Sequence, residues 1–477
     1  MDAFSRRKFI TGGAACAAAF PFGRAAGAKP SSRIERIEPR SVLIRDSTIA
    51  GESRRDDKTP AHPNGIPVSR DKWLLIYATR GFRGVDDDCS ILYQLRAGAP
   101  DGKLIREGVF VRSRSDWDPL GDGRVCVMQH GHPVVFGVPK GALIGGKPAP
   151  SANVFVVRWR KLARLYDKSR NYVEHASKDP DLADRTQTVE WVQFRLNRNE
   201  DNIEIIQPVA GLRQRGFEAG PALSSAPVRH MNQSFVQAVP YTSDGTEWAD
   251  CNHFNGGRIA ALRYRFNRQS GRYEWVETGP LLGGERNPLS EASLARYGTR
   301  WVIAARRNRG GAWTIVEDPF AKSLPPLTSP VQPAGTSPMT AYTAADGVLR
   351  LFTGDPGISP YKNARDPLYC WEIDPDSGFT ASQRRTIFDS VRAGLPIRPA
   401  AAPKIDMCKL LPHTGGRVQY LAYRVSMRAF NFPYVGGSGV VAGIPIANAE
   451  EKAACAIYYS KVHYTEAFPG LWEFDET

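Results

Sequence analysis

Short apolar runs, each about four to nine residues long and fenced by Gly, Pro, Asn or Asp, recur along the chain from Asp71 onward. Trp73–Ala78, Ser90–Leu95, Val134–Val138, Val154–Trp159, Ile259–Phe266, Trp301–Ala305, Leu368–Ile373 and Ala456–Tyr464 are examples. They are rich in β-branched and aromatic residues and too short for amphipathic helices, so they read as strands. No strand–helix alternation runs between them, which argues against parallel α/β folds and α/β barrels. The 477 residues include 44 Gly and 36 Pro, more than the ~12% average share, as a chain with many tight turns requires. The expected class is all-β.

Asp71–Tyr77, Tyr297–Ile303 and Ala345–Leu351 share one form, a turn followed by an apolar strand, within units of very roughly 50–70 residues, longer than a WD40 blade. About six such units fit between residues 67 and 475, on an estimate of four strands per unit. Four-stranded antiparallel blades set radially would use these strands without leaving long open edges. The expectation is therefore a single β-propeller of six blades, with five or seven as alternatives, over residues 67–477, preceded by a leader at 29–66. A pair of β-sandwiches is the competing arrangement. The best linker between them, Ser323–Ser337, suits a loop between blades equally well.

The first 28 residues have a different character. Ser5-Arg6-Arg7-Lys8-Phe9-Ile10 opens an Ala-rich apolar run to Phe22, and Ala26-Gly27-Ala28 offers a small-residue cleavage site. That is the order of an export signal, and it resembles a twin-arginine (Tat) signal. The resemblance implies the Tat export machinery as a partner and a periplasmic or extracellular destination. Cys16 is a second reading as a lipid-attachment site, but Gly13-Ala14-Ala15 lacks the usual Leu. With 63 Lys+Arg against 49 Asp+Glu the formal charge is +14; loss of Arg6, Arg7, Lys8, Arg24 and Asp2 with the signal leaves +11. In an exported protein this field favours an acidic oligo- or polysaccharide over nucleic acid. No apolar stretch is long enough for a transmembrane helix.

Several groups of residues point to chemistry. Arg80 and Arg83 flank a Gly-rich turn before Asp86-Asp87-Asp88, where an arginine fork at a strand end suits a carboxylate. Glu291 precedes the strand Trp301–Ala305, which ends in Arg306 and runs into Gly310-Gly311-Ala312-Trp313. In this Glu–strand–Arg–Gly/Trp order, and in Thr242-Ser243-Asp244-Gly245 before Glu247-Trp248, the chain resembles the sialidase-like (BNR, or Asp-box) propellers. The resemblance implies an arginine clamp on a substrate carboxylate from Arg80, Arg306 and Arg365. It also implies an acid at Asp87, with Asp116 in reserve, and a tyrosine nucleophile activated by Glu291. Tyr361, Tyr369 and Tyr423 qualify, and Tyr369 is carried as the site residue.

Gln129-His130-Gly131-His132-Pro133 places two histidines at i and i+2, on one side of a strand. His253 and His230 add imidazoles from another unit. Histidine beside arginine also suits proton removal next to a uronate carboxylate, the chemistry of a propeller polysaccharide lyase. Zinc would need three or four ligands, and only the histidine pair is visible; no cofactor is expected. The reading is a sialidase-like glycoside hydrolase acting on an acidic glycan, with a uronate lyase or a non-catalytic glycan- or protein-binding propeller as alternatives. The six cysteines beyond the signal are widely spaced and read as small buried hydrophobes.

Overall fold

A computed structural model of the chain describes residues 31–38, 41–81, 89–117, 125–150, 153–166, 172–175, 188–212, 231–233, 237–254, 257–307, 310–329, 338, 340–361, 363–396, 403–426 and 449–474. Among them the strands form six large antiparallel sheets and one small one. Sheet one is Lys58–Ser69, Lys72–Gly81, Ser90–Ala97 and Leu104–Val111. Sheet two is built on Val125–Val138, Val154–Tyr166, Thr188–Leu196 and Ile203–Leu212. In sheet three, Met231–Gln233 and Val239–Pro240 edge Glu247–Phe254, followed by Arg258–Asn267 and Arg272–Thr278. Sheet four is Ser290–Tyr297, Arg300–Arg306 and Gly311–Val316; sheet five is Thr340–Thr343, Leu349–Thr353, Leu368–Asp374 and Thr380–Phe388. Sheet six joins the two ends of the chain. Lys404–Leu410, Gly416–Ser426 and Ala456–Phe468 lie in order, and Ile34–Ile37 and Ser41–Ile44 complete it.

The cores lie between successive sheets. Phe136 of sheet two packs on Trp248, Tyr264 and Tyr273 of sheet three. Tyr241 stacks on Trp301 between sheets three and four, and Trp313 meets Phe379 between four and five. The Tyr342 hydroxyl donates to the Cys408 carbonyl, tying five to six. Leu75 and Tyr77 of sheet one share a cluster with Ala422 and Ile457 of sheet six. Each buried large side chain contributes about 1.5–3 kcal/mol, so the stability resides in these contacts between sheets. This radial order of antiparallel sheets is a β-propeller.

Residues 29–66, expected as a leader, instead carry three strands of the fold. Pro60, Pro63 and Pro67 hide the Lys58–Ser69 strand from a pattern reading. It is an edge strand of its sheet, where a missing N–H costs no ladder bond.

A local feature recurs in sheets one, two, four and six. Each first strand carries a register shift, at Ala61/Asn64, opposite Arg158/Arg160, at Ser290/Ser293 and at Asp406/Lys409. The residue entering each shift has a left-handed backbone: His62 (φ 51°), His132 (φ 55°), Glu291 (φ 47°) and Met407 (φ 57°). These are β-bulges. In three sheets the residue just before the bulge pairs with an arginine of the second strand: Gly131 with Arg160, Ser290 with Arg306 and Asp406 with Arg424.

Candidate functional site

First strands begin, and second strands end, on the same face of a blade, so the bulge arginines belong to one face. Arg80, at the end of the second strand of sheet one, belongs there too, paired with Thr59. Arg80 and Arg424 are each only 1% exposed and Arg160 only 4%. Burying a guanidinium costs several kcal/mol unless charge and hydrogen bonds answer it, and three of them on one face make that face the candidate site.

Two carboxylates answer part of this charge. Glu291 bonds Arg306 Nη1 through Oε2 at 2.6 Å, across the hairpin that separates them by fifteen residues. Asp406 receives Arg424 through Nε at 2.8 Å and Nη2 at 2.6 Å, and Arg365 on its other oxygen. Burial pushes the Asp406 carboxyl up, but Arg424 and Arg365 outweigh it and hold it well below the usual carboxylate range. Arg365 sits on the loop leaving the second strand of sheet five. The Ile405 amide donates to its carbonyl at 3.2 Å and Asn363 Nδ2 donates to the Pro403 carbonyl, which docks that loop beside Asp406.

Histidines sit within this set. His62 and His132 stack with ring centroids 4.0 Å apart. Arg424 Nη1 lies 3.2 Å from His62 Nε2. A guanidinium only donates, so His62 Nε2 accepts and the ring is neutral. His253, at the end of the Glu247–Phe254 strand, is lowered to about 4 by burial, then by the charges of Arg160 and Arg306. It too is a neutral imidazole at neutral pH. Arg80, Arg306, Arg365, His132, His253 and Glu291 thus occupy one face. Direct contact links Glu291 to Arg306, and Arg365 through Asp406 to Arg424, His62 and His132.

Other expectations need correction. His130 and His132 do not act as a pair, because the left-handed backbone at His132 breaks the strand alternation. His130 turns to Trp159 (6.4 Å, edge-on) and to Glu190, with Nε2 3.7 Å from Oε2. Tyr369 lies in the core between sheets four and five, its ring against Trp371 at 6.1 Å and under Arg384 at 5.2 Å. Tyr423 is buried with its hydroxyl on Ser460 at 3.1 Å. Tyr361, 38% exposed on the Arg365 loop, is the candidate tyrosine at the surface of this face. It donates to Asp389 Oδ1 at 2.8 Å, and burial together with that carboxylate pushes its phenol up to about 12. Asp87, Arg83 and His230 lie outside the described residues. Cys251, Cys370 and Cys408 are buried thiols whose burial pushes their pKa up. Among the described residues no cluster of three His, Cys, Asp or Glu is set to hold a metal, and no helix is long and apolar enough to cross a membrane.

Pattern reading missed His62, Arg160, Asp406 and Arg424. One signal was present, the repeated His-Pro of Ala61-His62-Pro63 and Gly131-His132-Pro133.

No protein-family model matches this sequence, and no curated protein matches it. Solved structures do resemble it. The K499G mutant of NanB sialidase from Streptococcus pneumoniae is 7% identical with a TM-score of 0.50, aligning 91% of this chain with 71% of that one. A Trypanosoma rangeli sialidase mutant displaying trans-sialidase activity is 13% identical with a TM-score of 0.49. The chain covers 59% of that protein's length, against 91% of its own. A protein of unknown function from Dyadobacter fermentans DSM 18053 aligns over 90% of this chain and 99% of its own, at 11% identity and a TM-score of 0.48. Identities this low speak to fold alone. The chain is a β-propeller with the sialidase-like fold.

Proposed function

We propose that this protein is an exported glycoside hydrolase of the sialidase type, acting on an acidic glycan at the arginine face. The observation that carries this reading is the placement of Arg160, Arg306 and Arg424 at equivalent bulge positions of three sheets, joined by Arg365 through Asp406. Preorganised guanidinium groups with little solvent around them bind a carboxylate bidentately and stabilise charge developing beside it. Glu291 holds Arg306 for that contact. Tyr361 is the proposed nucleophile, and because Glu291 is bonded to Arg306 the base that takes its proton is proposed to be Asp389 and not Glu291; a tyrosine nucleophile is a known departure from the two-carboxylate scheme. Asp87 remains the proposed acid, on the segment after Arg80. Export rests on the twin-arginine pattern at Ser5–Ile10.

The His62–His132 stack against Arg424 favours a second reading, a uronate lyase. An imidazole base beside an arginine-neutralised carboxylate is what β-elimination needs. A panel of sialosides and uronate polymers separates the two. Release of free sugar without absorbance from an unsaturated uronate supports hydrolysis; that absorbance establishes the lyase. Binding with no product from any substrate defeats both readings. Arg306→Ala is expected to raise KM or lower kcat/KM by at least about a hundredfold, the scale of one lost transition-state donor.

A further inference from the structure

On the arginine face a loop joins the second and third strands of sheet five, and the fourth strand returns there to enter a turn at Asp389. Tyr361 and Arg365 lie on the loop. Ser359 gathers it: its Oγ donates to the Asp366 carbonyl at 2.5 Å and accepts the Tyr361 amide at 3.2 Å and the Asn363 amide at 3.3 Å. Asp366 then reaches across to the turn, where its carboxylate accepts the Ser390 amide at 3.2 Å and the Ser390 hydroxyl. Ser390 follows Asp389, whose Oδ1 accepts the Tyr361 hydroxyl at 2.8 Å and the Arg392 amide at 3.0 Å.

Asp366 is 1% exposed and Ser390 is fully buried beside it, so neither meets a substrate directly. Burial pushes the Asp366 carboxyl up to about 6; the two Ser390 bonds oppose that rise and the Asp389 charge adds to it. The charges around the Tyr361 hydroxyl are Asp389, Asp366 and Arg392. The Arg392 side chain, 80% exposed with Nε 3.7 Å from Asp389 Oδ2, is too well hydrated to hold that carboxylate in place. The buried bonds from Asp366 to Ser390 are what join the turn to the loop. Such a link matters at a reacting pair, because a misplacement of about 1 Å lowers a rate about a hundredfold.

We propose that Asp366 is a positioning residue for the Tyr361–Asp389 pair: by holding Ser390 it keeps the Asp389 carboxylate on the phenol whose proton it takes. This role rests on the reading of Tyr361 as nucleophile and Asp389 as its base, so one arm of the test measures turnover and the other needs no substrate. On a sialoside, Asp366→Ala is expected to lower kcat about a hundredfold, with KM changed less than about threefold. Ser390→Ala, which keeps the amide bond, should lower kcat about tenfold. Asp366→Asn still accepts that amide and should recover most of the loss. The second arm is nitration of Tyr361 by tetranitromethane at about pH 8, mapped by peptide mass spectrometry. The reagent attacks phenolate, and burial with Asp389 holds this phenol up at about 12. Release toward the ordinary value of about 10 should speed its nitration at least about tenfold in Asp366→Ala, with Asp366→Asn within about threefold of the wild type. Wild-type kcat and nitration in Asp366→Ala, or in Ser390→Ala where the first does not fold, overturn the positioning role; with Tyr361→Phe inactive, the hydrolase reading still stands. Equal losses in Asp366→Asn and Asp366→Ala overturn it too. Turnover surviving in Tyr361→Phe, or none in the wild type, overturns the nucleophile reading and the positioning role with it.

Discussion

Lys409 shows how a buried charge shapes this molecule. On the first strand of sheet six it is 3% exposed, and its Nζ has no hydrogen-bond partner among the described residues. Burial, aided by the charge of Arg158 and opposed by Cys408, lowers its pKa from 10.5 to about 7. Between those values the unfolded chain binds a proton that the folded one does not, so stability rises with pH through this window and is lowest below it. Lys409→Met is therefore expected to stabilise by a few kcal/mol, roughly, at pH 6, with the gain shrinking toward pH 10.5; denaturant midpoints across that range measure it. Asp406 behaves in the opposite sense. Its depressed carboxyl contributes stability that is present above the ordinary carboxylate range and lost as pH falls below it. Asp406→Asn leaves Arg365 and Arg424 facing each other and is expected to cost about 3–5 kcal/mol, read as a shift in urea midpoint. Neither residue stood out in the sequence, because a lone Lys or Asp in an apolar run does not show what the opposite sheet will bring beside it.

At the scale of the strand, the bulges decide which side chains reach the arginine face. Glu291 and Arg306 were legible beforehand through the Glu–strand–Arg–Gly/Trp order, and the antiparallel hairpin brings the two together. Arg160 and Arg424 were not. Their level is set by backbone register, and a bulge adds a residue without any composition of its own. The same blindness made His130 and His132 look like partners and left Tyr361, Tyr369 and Tyr423 undistinguished, since only the folded sheets separate a loop tyrosine from two core ones. Register also yields a sharp expectation. Deleting Pro133 would remove the bulge while Gly131 stays opposite Arg160 and Val134 opposite Arg158, so the flanking strand keeps its faces and His132 loses the left-handed backbone that stacks it on His62. The cost should be about 1–3 kcal/mol, seen as a lowered midpoint of the thermal transition. Replacing the exposed Leu104 at the outer edge of sheet one with Lys should change stability by less than about 0.5 kcal/mol in the same assay.

For the whole molecule, the all-β class and the propeller arrangement followed from short strands and abundant turns. The prolines of Lys58–Ser69 and the distance between chain ends concealed how the N-terminal strands join the last sheet. The C-terminal segment matters equally. Trp472 is 1% exposed against Trp248, and Trp472→Ala is expected to cost about 3–5 kcal/mol by leaving a void, measured by chemical denaturation. Export is tested separately: replacing Arg6 and Arg7 with Lys should leave unprocessed precursor inside the cell, visible by fractionation.

Sheet six gives this protein an unusual response to force. Ile34 lies opposite Tyr464 and Ile37 opposite Val462, so the leading end of the first strand sits beside the trailing end of the last long one. A pull on the N-terminal end loads that pairing one hydrogen bond at a time, as a zipper is opened, and not all of them together in shear. A pull on the C-terminal end meets Trp472 and the Glu473–Phe474 pairing first, so an unfolding motor finds the N-terminal end the weaker grip.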